Sequence, residues 1–318
     1  MGSLALLVLT LGFALPAHAH APEAGGPAFA QLLGQWSFEP WVVLPLALSA
    51  CLYAAGVRRL WQRAGRQRGI TAGHALAFAA GWLALVAALV SPLDALGGRL
   101  FSAHMMQHEL LMLVAAPLLV IGRPLSAWAW ALPASRLRTV GRWLRSRAWA
   151  GVWGLLTDPL AAWALHALAL WVWHVPAFFE AAVEHTGWHV LQHTSFLVTA
   201  LLFWWAVIGG DARSRKDAGM ATFYLFTTML HTGALGALLT VAPTPWYPAY
   251  AGTAGALGLD PLEDQQLGGL VMWVPGGFAY LAAGLAMVAR LLSGPGNPKT
   301  PATPATPARP DPLRSNAR

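Results

Sequence analysis

Seven runs of about 20 mostly apolar residues, separated by segments that hold nearly all the arginine, dominate this sequence. As an α-helix a run of that length rises about 30 Å, the thickness of a bilayer's hydrocarbon core. The runs lie at about 40–60, 72–91, 101–121, 158–176, 187–208, 219–241 and 267–290. They are apolar on every face, where the strands of a membrane barrel would alternate, so helices are expected. Only 10% of the 318 residues are charged, too few to coat a soluble globule of this size. The predicted fold class is all-α: a polytopic membrane helix bundle of about seven transmembrane helices after an N-terminal signal-like segment.

That first segment holds an apolar run at 4–15, too short to span, followed by Ala17-His18-Ala19. Residues 1–19 read as a signal peptide cleaved before His20, although Met1-Gly2-Ser3 brings no positive charge. Cleaved or retained as an anchor, it leaves 20–39 as an external segment ahead of a seven-helix domain at 40–292. With that N-terminus outside, 19 of the 20 Lys and Arg fall on the cytoplasmic side, and only Arg99 faces out. The positive-inside rule selects this orientation, with a cytoplasmic C-terminus. Residues 293–318 are rich in proline and read as a disordered cytoplasmic tail. The net charge of +7 is thus a topology signal, and no nucleic-acid partner is expected.

No nucleophile elbow, HExxH, P-loop or dinucleotide fingerprint occurs, so no enzyme is predicted. The single cysteine, Cys51, excludes a CxxC site. Histidine is what remains. In the predicted topology six of the eleven (His104, His108, His174, His185, His189 and His193) lie in the outer third of the membrane or in the adjoining loops. His166 and His231 fall near the midplane. His74 and His166 read as structural, and Asp158, before Pro159, as a helix N-cap.

Spacing sharpens the pattern. His104 and His108 are i, i+4, which puts two imidazoles on one helical face about 6 Å apart along the axis. His185, His189 and His193 repeat that spacing, but their ends are about 12 Å apart, too far for one ion with bonds near 2 Å. Either one adjacent pair forms a site, or there are two sites. Met105 and Met112 flank His108 and offer thioether sulfur as soft ligands. Imidazole with thioether and no thiolate suits copper better than zinc or magnesium. A haem held between facing histidines such as His108 and His193 is the alternative cofactor, giving a b-type cytochrome. A copper or proton-coupled transporter is a third reading, favoured if His166 and His231 extend the outer set into a path. The 242–265 loop carries Pro243, Pro245 and Pro248, Trp246 and Tyr247 and no Lys or Arg, so it reads as a docking surface for a partner.

Four stretches carry a resemblance: HMMQHELLMLVAAPLLVIGRP (104–124), WVWHVPAFFEAAVEHTGWHVLQHTSFLVTALLFWWAVIG (171–209), LHTGALGALLTVAPTPWYPAY (230–250) and PLEDQQLGGLVMWVPGG (261–277). Over roughly 100–290 the chain resembles the CtaG family of cytochrome c oxidase assembly factors, the multi-spanning type associated with caa-type oxidases. The resemblance implies a seven-helix plasma-membrane protein needed to make active haem-copper oxidase by helping copper reach its catalytic subunit. Its partners would be an oxidase subunit, the lipid bilayer and a periplasmic or extracellular copper carrier. His104, His108, His174, His185, His189, His193 and His231 all fall in the matching stretches and are the implied metal ligands.

Overall fold

The computed structural model describes residues 29–209 and 215–293, which are helical apart from short connections and contain no strand. The signal segment 1–19 and the tail from 294 lie outside the described residues. Six helices are long and apolar enough to cross a membrane: Pro40–Ala64, Ala72–Leu89, Phe101–Gly122, Thr186–Gly209, Ala218–Val241 and Pro261–Leu292. They are the first, second, third, fifth, sixth and seventh spans below, and the protein is a polytopic helical membrane protein.

The fourth span departs from the expected single run at 158–176. Its main helix is Pro159–Trp173, 15 residues, or about 22 Å at the α-helical rise and short of the core thickness. It reaches spanning length only together with Arg147–Leu156, from which it is bent by 62°. The bend follows from the residues at the joint. Asp158 Oδ1 accepts from the N–H groups of Leu160 and Ala161 at 3.0 and 3.1 Å, starting a new helix. Pro159 at its first position has no N–H to continue the old one.

Similar local chemistry starts other helices. Thr71 Oγ1 accepts from the His74 N–H, while the His74 ring accepts from the Thr71 N–H at 3.1 Å, a capping box that gives His74 a structural role. The third span lacks a local cap and takes one from far away. Asp264, almost wholly buried at the start of the seventh span, accepts from the Phe101 N–H at 2.7 Å and from the Ser102 N–H and hydroxyl. A carboxylate on the orphan donors of a helix N-terminus also complements its dipole. This bond puts the starts of the third and seventh spans at the same end of the bundle. The Tyr247 hydroxyl donates to the His174 carbonyl at 2.9 Å, bringing the end of the fourth span there too.

The third span is the most enclosed of the six. Just past His108 and Glu109 it widens into a π-helix over Leu110–Ala115, in the turn before Pro117, which cannot donate to the α-helical ladder. The sixth and seventh spans pack along their lengths. Their backbones approach so closely at Gly236 and Gly269 that a Cβ on Gly269 would sit 2.6 Å from the Gly236 carbonyl oxygen. Ahead of the first span, the Ser37 N–H donates to the Val90 carbonyl at 2.9 Å, so the N-terminal segment folds against the end of the second span.

Candidate metal centre

Five histidines from three spans meet at the end of the bundle that Asp264 organises. His104 and His108 occupy successive turns of the third span, with ring centroids 4.4 Å apart. His189 and His193 do the same on the fifth span at 4.2 Å. The two pairs face one another: His104 lies 5.4 Å from both His189 and His193, and His108 lies 5.1 Å from His193. His174, at the end of the fourth span, completes the set 6.3 Å from His108. Four of the five are buried and His189 is partly exposed.

The hydrogen bonds fix which ring nitrogens carry lone pairs. Tyr250 donates its one hydroxyl proton to the Gly97 carbonyl at 3.0 Å. Its oxygen, 3.1 Å from His104 Nδ1, must therefore accept, which makes Nδ1 the protonated nitrogen and leaves the lone pair on Nε2. Nε2 faces Gln192 Oε1, which can only accept, at 3.2 Å. The two contacts agree when the amide is turned so that its NH2 donates to the Nε2 lone pair, which also partners the otherwise unpaired Gln192 nitrogen; an arriving ion would replace that bond. His174 follows the same logic. Its Nδ1 is 2.7 Å from the Leu170 carbonyl, which can only accept, so Nε2 holds the lone pair, buried and unpartnered. Both ring nitrogens of His108 are buried without a partner. An Nδ1–H held by an outer partner, with the lone pair on Nε2, is the arrangement of a metal-ligating histidine.

Geometry agrees with that chemistry. One nitrogen from each of His104, His189 and His193 lies within 4.8 Å of the others. The Nε2 atoms of His189 and His193 are 3.2 Å apart, close to the roughly 3.3 Å that two nitrogens span on one tetrahedral ion with bonds near 2 Å. The residues present therefore fit a metal ion held by neutral imidazoles, with His108 and His174 at hand as further ligands.

Aromatic rings cover one side of the centre. Phe179 and Tyr250 pack against His104, at 5.1 and 6.5 Å, with Phe101 and Tyr247 stacked behind them, while Phe196 lies 4.6 Å from His108. Burial raises the pKa of both loop tyrosines, with Asp264 adding to the effect on Tyr250, so each stays a protonated donor. Within the 242–265 loop, read as a docking surface, this takes Tyr247 out of any outward face, while Pro243, Thr244, Pro245 and Pro248 stay exposed. Tyr247 and Tyr250 point inward as the roof of the centre, and only partly buried Trp246 of its large aromatics keeps an outward face.

Two of the seven implied ligands lie elsewhere. His185 is exposed and precedes the first residue of the fifth span, so the i, i+4 pattern does not carry it onto the helical face. His231, on the sixth span, packs edge-on to Trp163 at 6.1 Å, beside His166. His166 Nδ1 lies 3.2 Å from the Thr199 hydroxyl. Met105 is fully buried with Phe101 and Met272, and Met112 is buried in the main core with Leu111 and Ala115. Sequence reasoning missed Gln192, Tyr250 and Asp264 and placed Tyr247 on an outward face. Their polar atoms at buried positions are the only local signal.

Tyr250→Phe should leave a folded protein in which His104 has lost the acceptor that fixes its tautomer. Metal affinity, read by competition with a chromophoric chelator, should fall by about 10–100-fold, as for other outer partners of ligating histidines. Unchanged affinity would show that the Tyr250 bond does not orient a ligand.

Apolar spans bundled around a buried cluster of histidines define a multi-spanning membrane protein with a candidate metal centre at one end. The chain belongs to the cytochrome c oxidase caa3 assembly factor family, whose sequence profile matches residues 51–293. It is similar to uncharacterized proteins of Mycobacterium bovis and Mycobacterium tuberculosis, each 29% identical over 254 residues and covering 78% of this chain. An uncharacterized protein of Mycobacterium leprae is 25% identical over 252 residues, again 78% of this chain. The matched part spans 38% of the length of each of these relatives. No solved structure matches the chain significantly.

Proposed function

We propose that the histidine centre binds copper at the outer face of the plasma membrane and delivers it to the catalytic subunit of a haem-copper oxidase. The observation that carries this is the convergence of His104, His189 and His193, with the bond to Tyr250 placing the lone pair of His104 on Nε2. Family membership supplies the oxidase as client. Imidazole without thiolate suits copper that must later be released, since a cysteine site would hold Cu(I) more tightly. The distribution of Lys and Arg supports an outward-facing centre, where a periplasmic or extracellular carrier could load it without the ion crossing the bilayer. In this role the protein is a metal donor, with no reaction to catalyse.

A haem between His108 and His193 would need the third and fifth spans to move apart. His108 and His193 meet edge to face at 5.1 Å, whereas two axial imidazoles stand on opposite faces of a macrocycle that must fit between them.

Membrane vesicles test the proposal. Right-side-out vesicles bearing the protein should bind added Cu(I) in proportion to their content of it and surrender it to a membrane-impermeant chelator. Inside-out vesicles should do neither. Copper bound only by inside-out vesicles, or by neither kind, would refute the proposal.

A further inference from the structure

A cavity of about 180 Å³ opens beside the centre, between the start of the first span and the start of the fifth. His104, His189 and His193 form one part of its wall. Glu39, immediately ahead of the first span, and Asp94, on the short helix Pro92–Gly97, line another part. Among the described residues no Lys or Arg lines the cavity, so the wall they form carries two carboxylates and no fixed positive charge. Asp94 is held in place by Gln107, whose NH2 group donates to Asp94 Oδ1 at 3.1 Å and to the Ala88 carbonyl at 2.8 Å.

The three cavity histidines are graded in burial. His189 is partly exposed, His193 is 8% exposed and His104 1%. His189 and His193 touch through their Nε2 atoms at 3.2 Å. A cation arriving through the cavity thus meets an accessible imidazole first and a buried one next, within a single ligand-to-ligand step. A cleft with low-dielectric walls and charge of one sign concentrates the opposite ion and raises association rates by about 10–10³-fold.

Resting on the reading of the centre as a metal site, we propose that this cavity is a vestibule for a metal cation, in which Glu39 and Asp94 draw the ion in and His189 is its first ligand. Glu39 and Asp94 are positioning residues: they set how fast the ion arrives, while the imidazoles set how tightly it is held.

The first test needs no metal. On a Cys51→Ser background, a cysteine is placed in the cavity wall by Thr194→Cys and, separately, by Val190→Cys. Each is labelled with cationic and anionic methanethiosulfonates, with rates normalised to a free thiol. The cationic reagent should react about tenfold faster, and Glu39→Gln with Asp94→Asn should bring the ratio to about one. Equal rates in the parent, a ratio indifferent to the double substitution, or no labelling at either position would overturn the vestibule. In the second test, copper loading of the Glu39→Gln, Asp94→Asn variant should slow by about tenfold at low salt, with equilibrium affinity changed by less than about threefold. A loading rate equal to the parent's would also overturn it. If the charge preference holds but the parent protein takes up no copper, the copper reading of the centre fails while a cation vestibule stands.

Discussion

His104→Ala and His193→Ala should each weaken copper binding by well over 100-fold in a protein that still folds and inserts. Each removes one of three imidazoles whose nitrogens already converge within 4.8 Å. Loss of a direct ligand must exceed the 10–100-fold expected of its outer partners. His108→Ala should fall between these variants and the parent, because His108 sits edge-on to His104 at 4.4 Å with both nitrogens unpartnered but outside the converging three. His185→Ala, at an exposed position before the helix, should bind as the parent does. Competition titrations of detergent-solubilised variants, with helix content checked by circular dichroism, supply the comparison. Full copper occupancy in both His104→Ala and His193→Ala would reduce the cluster to helix packing.

The second large effect is expected in cells. A strain lacking the protein should assemble oxidase polypeptide with its haem but with little copper at the catalytic site, and should lose most oxidase activity. Added external copper should restore part of that activity, because mass action lets a high free concentration of ion bypass a donor. A haem-handling role predicts the reverse: haem-poor oxidase that copper does not rescue. Metal and haem content of oxidase purified from the deletion strain, grown with and without added copper, separates the two. Normal copper occupancy there would rule out copper delivery.

Much of this architecture is legible in the sequence because bilayer thickness writes itself into run length. The six long spans follow the apolar runs, and the Asp158 cap is visible as an Asp-Pro pair ahead of one of them. The bend at that same pair was less visible. Hydropathy averages across the joint, whereas a capping carboxylate and a missing N–H act on single hydrogen bonds.

The centre was half legible. An i, i+4 spacing shows that His104 can stand beside His108, and His189 beside His193, but not that the two pairs face each other. It also groups His185 with the fifth span, although the helix starts at Thr186. The bonds that orient the ligands join residues far apart in the chain: Tyr250 to Gly97 across 153 positions, Asp264 to Phe101 across 163. Such pairs leave no periodic trace. Nothing in the loop's sequence therefore marks Tyr247 and Tyr250 as inward-facing, while Trp246 and the prolines beside it keep an outward face.

X-ray absorption at the copper edge, on purified protein loaded with one equivalent of Cu(I), tests the metal centre most directly. The structure predicts a first shell of about three nitrogens near 2 Å, with the outer-shell scattering of imidazole rings, and loss of that signal in His193→Ala. A first shell dominated by sulfur, or protein that retains no copper and carries a haem absorption band, would contradict a copper centre built from these histidines.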